Sequence, residues 1–162
     1  QETKSSLEPR GAVVAYKADR GGTDTIYKVS FIVSNAVDGE AVDLTPPYTA
    51  DGTATDPDIS SGAEYRTVIA YNDQNQFMSD VPWSVTWLGN DNGDSLLEVG
   101  EKAEISVWLL IRDTTEAITS STATSYWTTD ANGANGFLST GTLLSKNDKF
   151  SLTLSPPPQA RC

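Results

Sequence analysis

Residues 90–101 read Asn-Asp-Asn-Gly-Asp-Ser-Leu-Leu-Glu-Val-Gly-Glu, with oxygen-bearing side chains at the first, third, fifth, ninth and twelfth positions. That is the side-chain spacing of a calcium loop. In this register Asn90, Asn92 and Asp94 offer side-chain oxygens and Leu96 offers a backbone carbonyl. Glu98 supplies a direct or water-bridged contact, and Glu101 a bidentate carboxylate. Such loops usually begin with Asp and place Gly sixth; here Asn90 and Ser95 stand at those positions, and Gly93 is left to supply the tight turn. The chemistry implied is binding of a hard cation, calcium before any other, rather than a reaction. The competing reading is a solvated acidic turn between two strands, with Glu98 and Glu101 as exposed charges at a strand entry.

The rest of the composition narrows the chemistry further. Histidine is absent and the single cysteine is Cys162. The commonest general base, the usual partner of a nucleophilic serine, Cys-based metal clusters and intramolecular disulfides are therefore excluded. Carboxylates are plentiful, and a glycosidase needs only two of them at a suitable separation. No nucleophile elbow, phosphate-cradling glycine loop or His-based metal motif accompanies them, and Ser145-Lys146 reads as a solvated turn. The expectation is a protein that is not an enzyme.

The chain has 162 residues, 38% of them hydrophobic, enough for one core of ordinary size. A net charge of −11 and a pI near 4.2 repel phosphate backbones and anionic membrane surfaces, so neither nucleic acid nor membrane is an expected partner. No run of residues is apolar enough to span a bilayer, and Gln1 is not followed by the pattern of a targeting signal.

The elements that must position these side chains are strands, because apolar residues recur at every second position. Tyr27, Val29, Phe31 and Val33 share one face, opposite Lys28 and Ser30. Tyr65, Thr67, Ile69 and Tyr71 repeat the pattern, and Trp83, Val85 and Trp87 form a strand leading into the calcium-like loop. Ala103, Ile105, Val107, Leu109 and Ile111 make an inward stripe after that loop, and Phe150, Leu152 and Leu154 make the last. Turn signals between the runs, such as Asp38-Gly39, Pro46-Pro47 and Asp51-Gly52, predict an all-β, immunoglobulin-like antiparallel sandwich. Residues 1–10 read as a polar remnant of an upstream helix, 11–155 as a single β-sandwich domain, and 156–162 as a Pro-rich tail that cannot continue a sheet. Residues 49–62 read as a long polar loop, and 113–125 as either a second strand pair or a mobile segment.

Tryptophans mark the remaining candidates. Trp83 and Trp87 agree with their strand's alternation and read as core. Trp108 falls out of phase with the stripe around it, on the side of Lys102, Glu104 and Ser106. It is either a contact for a sugar or another subunit, or it is covered by a loop or second layer. Trp127 lies in a polar region that assigns it to neither class.

Four stretches together resemble the outer domain of archaellins, the filament subunits of the archaeal motility organelle. They are Ser6-Leu7-Glu8-Pro9-Arg10-Gly11, Tyr71-Asn72-Asp73 through Asp80-Val81-Pro82-Trp83, the Asn90–Glu101 loop, and Leu143-Leu144 to Pro157. The resemblance implies a non-enzymatic structural subunit of the archaellum, extracellular, with an immunoglobulin-like sandwich on the outer filament surface. Its expected partners are other copies of the same or related filament subunits. Archaellins build the filament core from an N-terminal hydrophobic helix that these residues lack, so the isolated chain is expected to be soluble and mainly monomeric. Metal sites known among archaellin outer domains extend the ligand set to Asp91, with Asn92 and Asp94. One departure is that no Asn is followed at the second position by Ser or Thr, so the sequon of N-glycosylation is missing. Two other functions compete: a secreted, calcium-stabilised carbohydrate- or protein-binding β-sandwich module that stacks a sugar on Trp108 or Trp127, and an envelope-anchored accessory protein of the same machine.

Overall fold

The structure, a computed structural model, describes residues 7–20, 23–35, 41–52, 55–59, 67–74, 77–89, 96–113, 123–126 and 148–155. In chain order its strands are β1 (Leu7–Arg20), β2 (Thr23–Asn35), β3 (Val42–Asp43), β4 (Tyr48–Thr49), β5 (Thr55–Asp56), β6 (Asp58–Ile59) and β7 (Val68–Asp73). They continue with β8 (Phe77–Met78), β9 (Trp83–Leu88), β10 (Leu96–Leu97), β11 (Lys102–Trp108), β12 (Leu110–Asp113), β13 (Ala123–Tyr126) and β14 (Phe150–Ser155). The fold is all-β, as the alternation predicts. Among the described residues every strand pair is antiparallel, and a single parallel bridge joins Asn35 to Val99.

One sheet has the order β1-β2-β11-β9 and another the order β14-β7-β8, with two-stranded β10-β3 and β4-β6 and three-stranded β13-β12-β5 completing the set. The first two sheets share a core. Phe31 and Val33 on β2, Ala103, Ile105 and Val107 on β11, and Trp83 on β9 cluster with Ile69 and Tyr71 on β7. Val42, Leu44, Val81, Leu97 and Leu109 extend the cluster, while Leu152 and Leu154 of β14 pack against it half-buried.

Register explains why the central sheet fills its inner face. Cross-strand rows run Trp83–Val107–Val29, Val85–Ile105–Phe31 and Trp87–Ala103–Val33. In the last row the large indole of Trp87 is opposite small Ala103, a complementary pairing of sizes across the strands. Of the residues that the alternation points inward, Val29, Phe31, Ile105, Val107 and Leu109 are buried, and Val85 and Leu152 are half-buried.

Three elements differ from the sequence expectation. Leu7–Arg10, read with the polar N-terminal segment, pair with Ile32–Asn35 as the opening of β1. The inward stripe does not run through to Ile111 as one strand: Leu109 is a bend, its amide donating to the Tyr27 carbonyl at 2.8 Å, and the chain passes to β12 in a different sheet. Residues 49–62, read as loop, contribute β5, β6 and part of β4. Of 113–125, read as a strand pair or a mobile segment, Asp113 ends β12 and residues 123–125 belong to β13, which pairs with β12; residues 114–122 lie outside the described residues. Tyr65, Ile111 as a side chain and Trp127 lie outside the described residues.

Candidate metal centre

Of the predicted calcium ligands, Asn90, Asp91, Asn92 and Asp94 lie outside the described residues; Leu96, Glu98 and Glu101 lie within them. Leu96 opens β10 opposite Asp43 of β3, which fixes the exit of the loop to the sandwich. The chain then makes a tight turn. The Glu101 amide donates to the Glu98 carbonyl at 3.0 Å, and the Glu98 amide donates to Glu101 Oε1 at 2.9 Å. Gly100, at φ +89°, takes the left-handed position that such a turn reserves for glycine. The Glu101 carboxylate thus braces the turn from which β11 departs. Asn35 reinforces the same corner by donating from Nδ2 to the Leu97 carbonyl at 3.0 Å.

A second acidic group is brought together where the sequence suggests only a loop. Asp51, Asp56 and Asp58 each place a carboxylate oxygen within 4.8 Å of the others. The positions follow from local pairing: β4 and β6 align Thr49 with Asp58, and Asp51 lies two residues past the end of β4. Asp56 is 5% exposed and clamps the connection, its Oδ1 accepting from the Asp51 amide at 3.1 Å and its Oδ2 from the Gly52 amide at 3.0 Å. Gly52 allows that closure because its φ is +81°.

Three like charges this close repel one another, at roughly 1 kcal/mol per fully ionised pair near 4 Å even in bulk water. Desolvation first, and then the Asp51 and Asp56 charges, raise the Asp58 carboxyl above its ordinary range. A divalent cation would relieve the same repulsion. The donors are all hard oxygens, and a carboxylate has about four acceptor positions, so the amide bonds to Asp56 do not exhaust it. The group could bind a metal ion. Only acid density, three Asp between residues 51 and 58, signals this cluster in the sequence.

Trp108 is buried at 3% exposed, as the alternative of cover by a loop or second layer required, while Lys102 at the far end of the same side is exposed. Ser84, Ser106 and Ser30 form one cross-strand row on this face, all buried. Their small side chains leave room for the indole to reach toward β9, where its Nε1 donates to Ser84 Oγ at 2.9 Å. Ser30 and Ser106 satisfy each other at 2.8 Å. Lys28 places its Nζ 4.2 Å from the Tyr16 ring centre and 4.9 Å from that of Trp108, tying β1, β2 and β11 together by cation–π attraction. Trp108 is therefore a structural side chain and offers no stacking platform for a sugar and no lateral contact to another subunit. Trp83 is fully buried and Trp87 packs against the core, in line with their alternation.

Neither a protein-family model, nor a curated protein, nor a solved structure matches this chain.

Proposed function

We propose that the chain is the outer β-sandwich of an archaellum filament subunit: a non-enzymatic, extracellular structural domain with immunoglobulin-like architecture, partnered by other filament subunits and stabilised by calcium. The observation that carries this reading is the coincidence of the resembling stretches with the framework of the sandwich. Leu7–Gly11 opens β1, Tyr71–Asp73 closes β7, and Asp80–Trp83 enters β9. Two acidic segments, Asn90–Glu101 and the Asp51, Asp56 and Asp58 cluster, supply hard-oxygen donors for calcium. The carbohydrate-binding alternative loses Trp108, which is buried.

Antibodies raised against these residues test the proposal directly. On intact archaeal cells producing the protein they should decorate extracellular filaments along their length. Label confined to the cell envelope would favour the accessory protein, and label only inside the cell would overturn both readings.

A further inference from the structure

One row along from the serines, aromatic rings from three strands gather around one ammonium. In the β1–β2 ladder Tyr16 pairs with Lys28 and the next residue, Lys17, with Ile26, so Tyr27 is an extra residue on β2 and both Tyr27 and Lys28 oppose Tyr16. A bulge of this kind re-aims side chains that a regular ladder would send to opposite faces. On the other side of β2, Lys28 pairs with Trp108 of β11. The Lys28 ammonium therefore lies between two ring faces, 4.2 Å from the centre of Tyr16 and 4.9 Å from that of Trp108. Tyr27 closes the group, its ring centre 6.3 Å from Tyr16 at 60° and 6.0 Å from Trp108 at 50°. Tyr27 and Trp108 are buried while Tyr16 and Lys28 are half-buried, so the group opens to solvent on the Lys28 side. Lys17, Lys102 and Lys149, by contrast, are exposed.

We propose that Lys28 is a site of N-methylation, and that Tyr16, Tyr27 and Trp108 form the cage that receives its methylated ammonium. Converging aromatic rings are the geometry that recognises alkylated ammonium groups. Ring faces offer π density rather than hydrogen-bond acceptors, whereas a primary ammonium carries three donors and is strongly hydrated. Each N-methyl group removes a donor and lessens the hydration forfeited against the rings, while the positive charge is kept. Acetylation would remove that charge and with it the attraction. In the transfer, Lys28 Nζ first gives a proton to water, and its lone pair then attacks the methyl carbon of a sulfonium donor. The N–C bond forms as the C–S bond breaks, sulfur leaves as a neutral sulfide with the electron pair, and the nitrogen again carries one positive charge. Two repetitions give the quaternary ammonium. The inference is independent of the filament reading, because the cage and its ammonium belong to one chain.

Mass spectrometry of the protein isolated from cells that naturally produce it should find the peptide containing Lys28 heavier by one to three methyl groups; this arm needs no variant. A second arm measures what the cage prefers. In a Cys162→Ser background, Lys28→Cys is alkylated in the unfolded chain with (2-bromoethyl)trimethylammonium or with 2-bromoethylamine and refolded, so that methylated and unmethylated lysine analogues are compared at one position. The methylated analogue should melt higher by about 2–4 °C. Tyr16→Leu should erase the difference, and the same pair of analogues at exposed Lys102 should melt together. Unmodified Lys28 in the natural protein, a methylated analogue that melts at or below the unmethylated one, or an equal difference at Lys102 would overturn the proposal and leave Lys28 as a cation–π strut.

Discussion

Two tryptophans on opposite faces of the same sheet allow one interaction to be isolated. Trp83 and Trp108 are both buried, but their indole nitrogens differ. Nε1 of Trp108 donates to Ser84 Oγ at 2.9 Å, whereas Nε1 of Trp83 has no hydrogen-bond partner among the described residues. Replacing each by Phe removes a similar volume of indole, so the cavity costs largely cancel in the comparison. Trp108→Phe additionally loses one hydrogen bond and leaves buried Ser84 short of a donor, at a cost of about 1 kcal/mol. Trp83→Phe removes an unpaired buried N–H, which offsets part of its cavity by about 1 kcal/mol. Trp108→Phe should therefore be the less stable variant by about 2 kcal/mol, equivalent to a melting temperature lower by roughly 4–8 °C in a chain of this size. Urea unfolding followed by far-ultraviolet circular dichroism measures the difference without relying on the altered fluorophores. Equal stabilities, or a less stable Trp83→Phe, would refute the assignment of the Trp108–Ser84 bond as the distinguishing interaction.

Three further outcomes are expected. Calcium at about a hundredfold excess over its Kd should stabilise the fold by roughly 2.7 kcal/mol; a chelator should reverse the effect and Asp94→Asn should diminish it, while a melting curve indifferent to millimolar calcium would remove the binding reading. Because the Asp58 carboxyl is raised by desolvation and by Asp51 and Asp56, the folded chain holds this proton more tightly than the unfolded one. Its contribution to stability is complete below the ordinary carboxylate value and is lost as pH rises through the raised one. Without divalent cations, melting temperatures from about pH 4 to about pH 7 should fall less for Asp58→Asn than for the unaltered protein, and parallel profiles would contradict the cluster. Finally, Gly100→Ala forces a Cβ into the left-handed region at φ +89° and should destabilise by about 1 kcal/mol or more in a urea titration; an unchanged midpoint would show that the turn relaxes.

Strands with one buried face were legible in the sequence, because Tyr27 to Val33, Trp83 to Trp87 and Ala103 to Val107 each write a period of two. Where both faces share a fate the signal fails. On β1, Pro9 to Ala15 are exposed on both sides, so no alternation marks the strand, and its opening is indistinguishable in sequence from the polar terminus. On β11, Ser106 and Trp108 are buried opposite Ile105 and Val107, so an out-of-phase tryptophan did not mean an accessible one. Strands β5 and β6 have two residues each, too few to display any period, and the carboxylates they gather come together by pairing rather than by spacing. The Asn90–Glu101 pattern was visible because its chemistry is local. What its two described glutamates do for each other, bracing a turn, depends on backbone geometry that ligand spacing does not encode.

The serine row also has a bearing on how the chain reaches this structure. Ser30 and Ser106, joined at 2.8 Å, are separated by 76 positions along the chain, whereas β1 and β2 meet across a single short connection. Hairpins form within microseconds, but closing a loop of this length costs roughly 2 kcal/mol more entropy than closing one of ten residues. The hairpin should thus be an early structure and the β2–β11 ladder a late one, leaving the inner edge of β2 waiting as an unpaired template while the intervening strands find their places. A chain with this topology is most vulnerable to misassembly between those two events. Its crossing from one to the other, rather than its final stability, would set the tempo at which the chain becomes native.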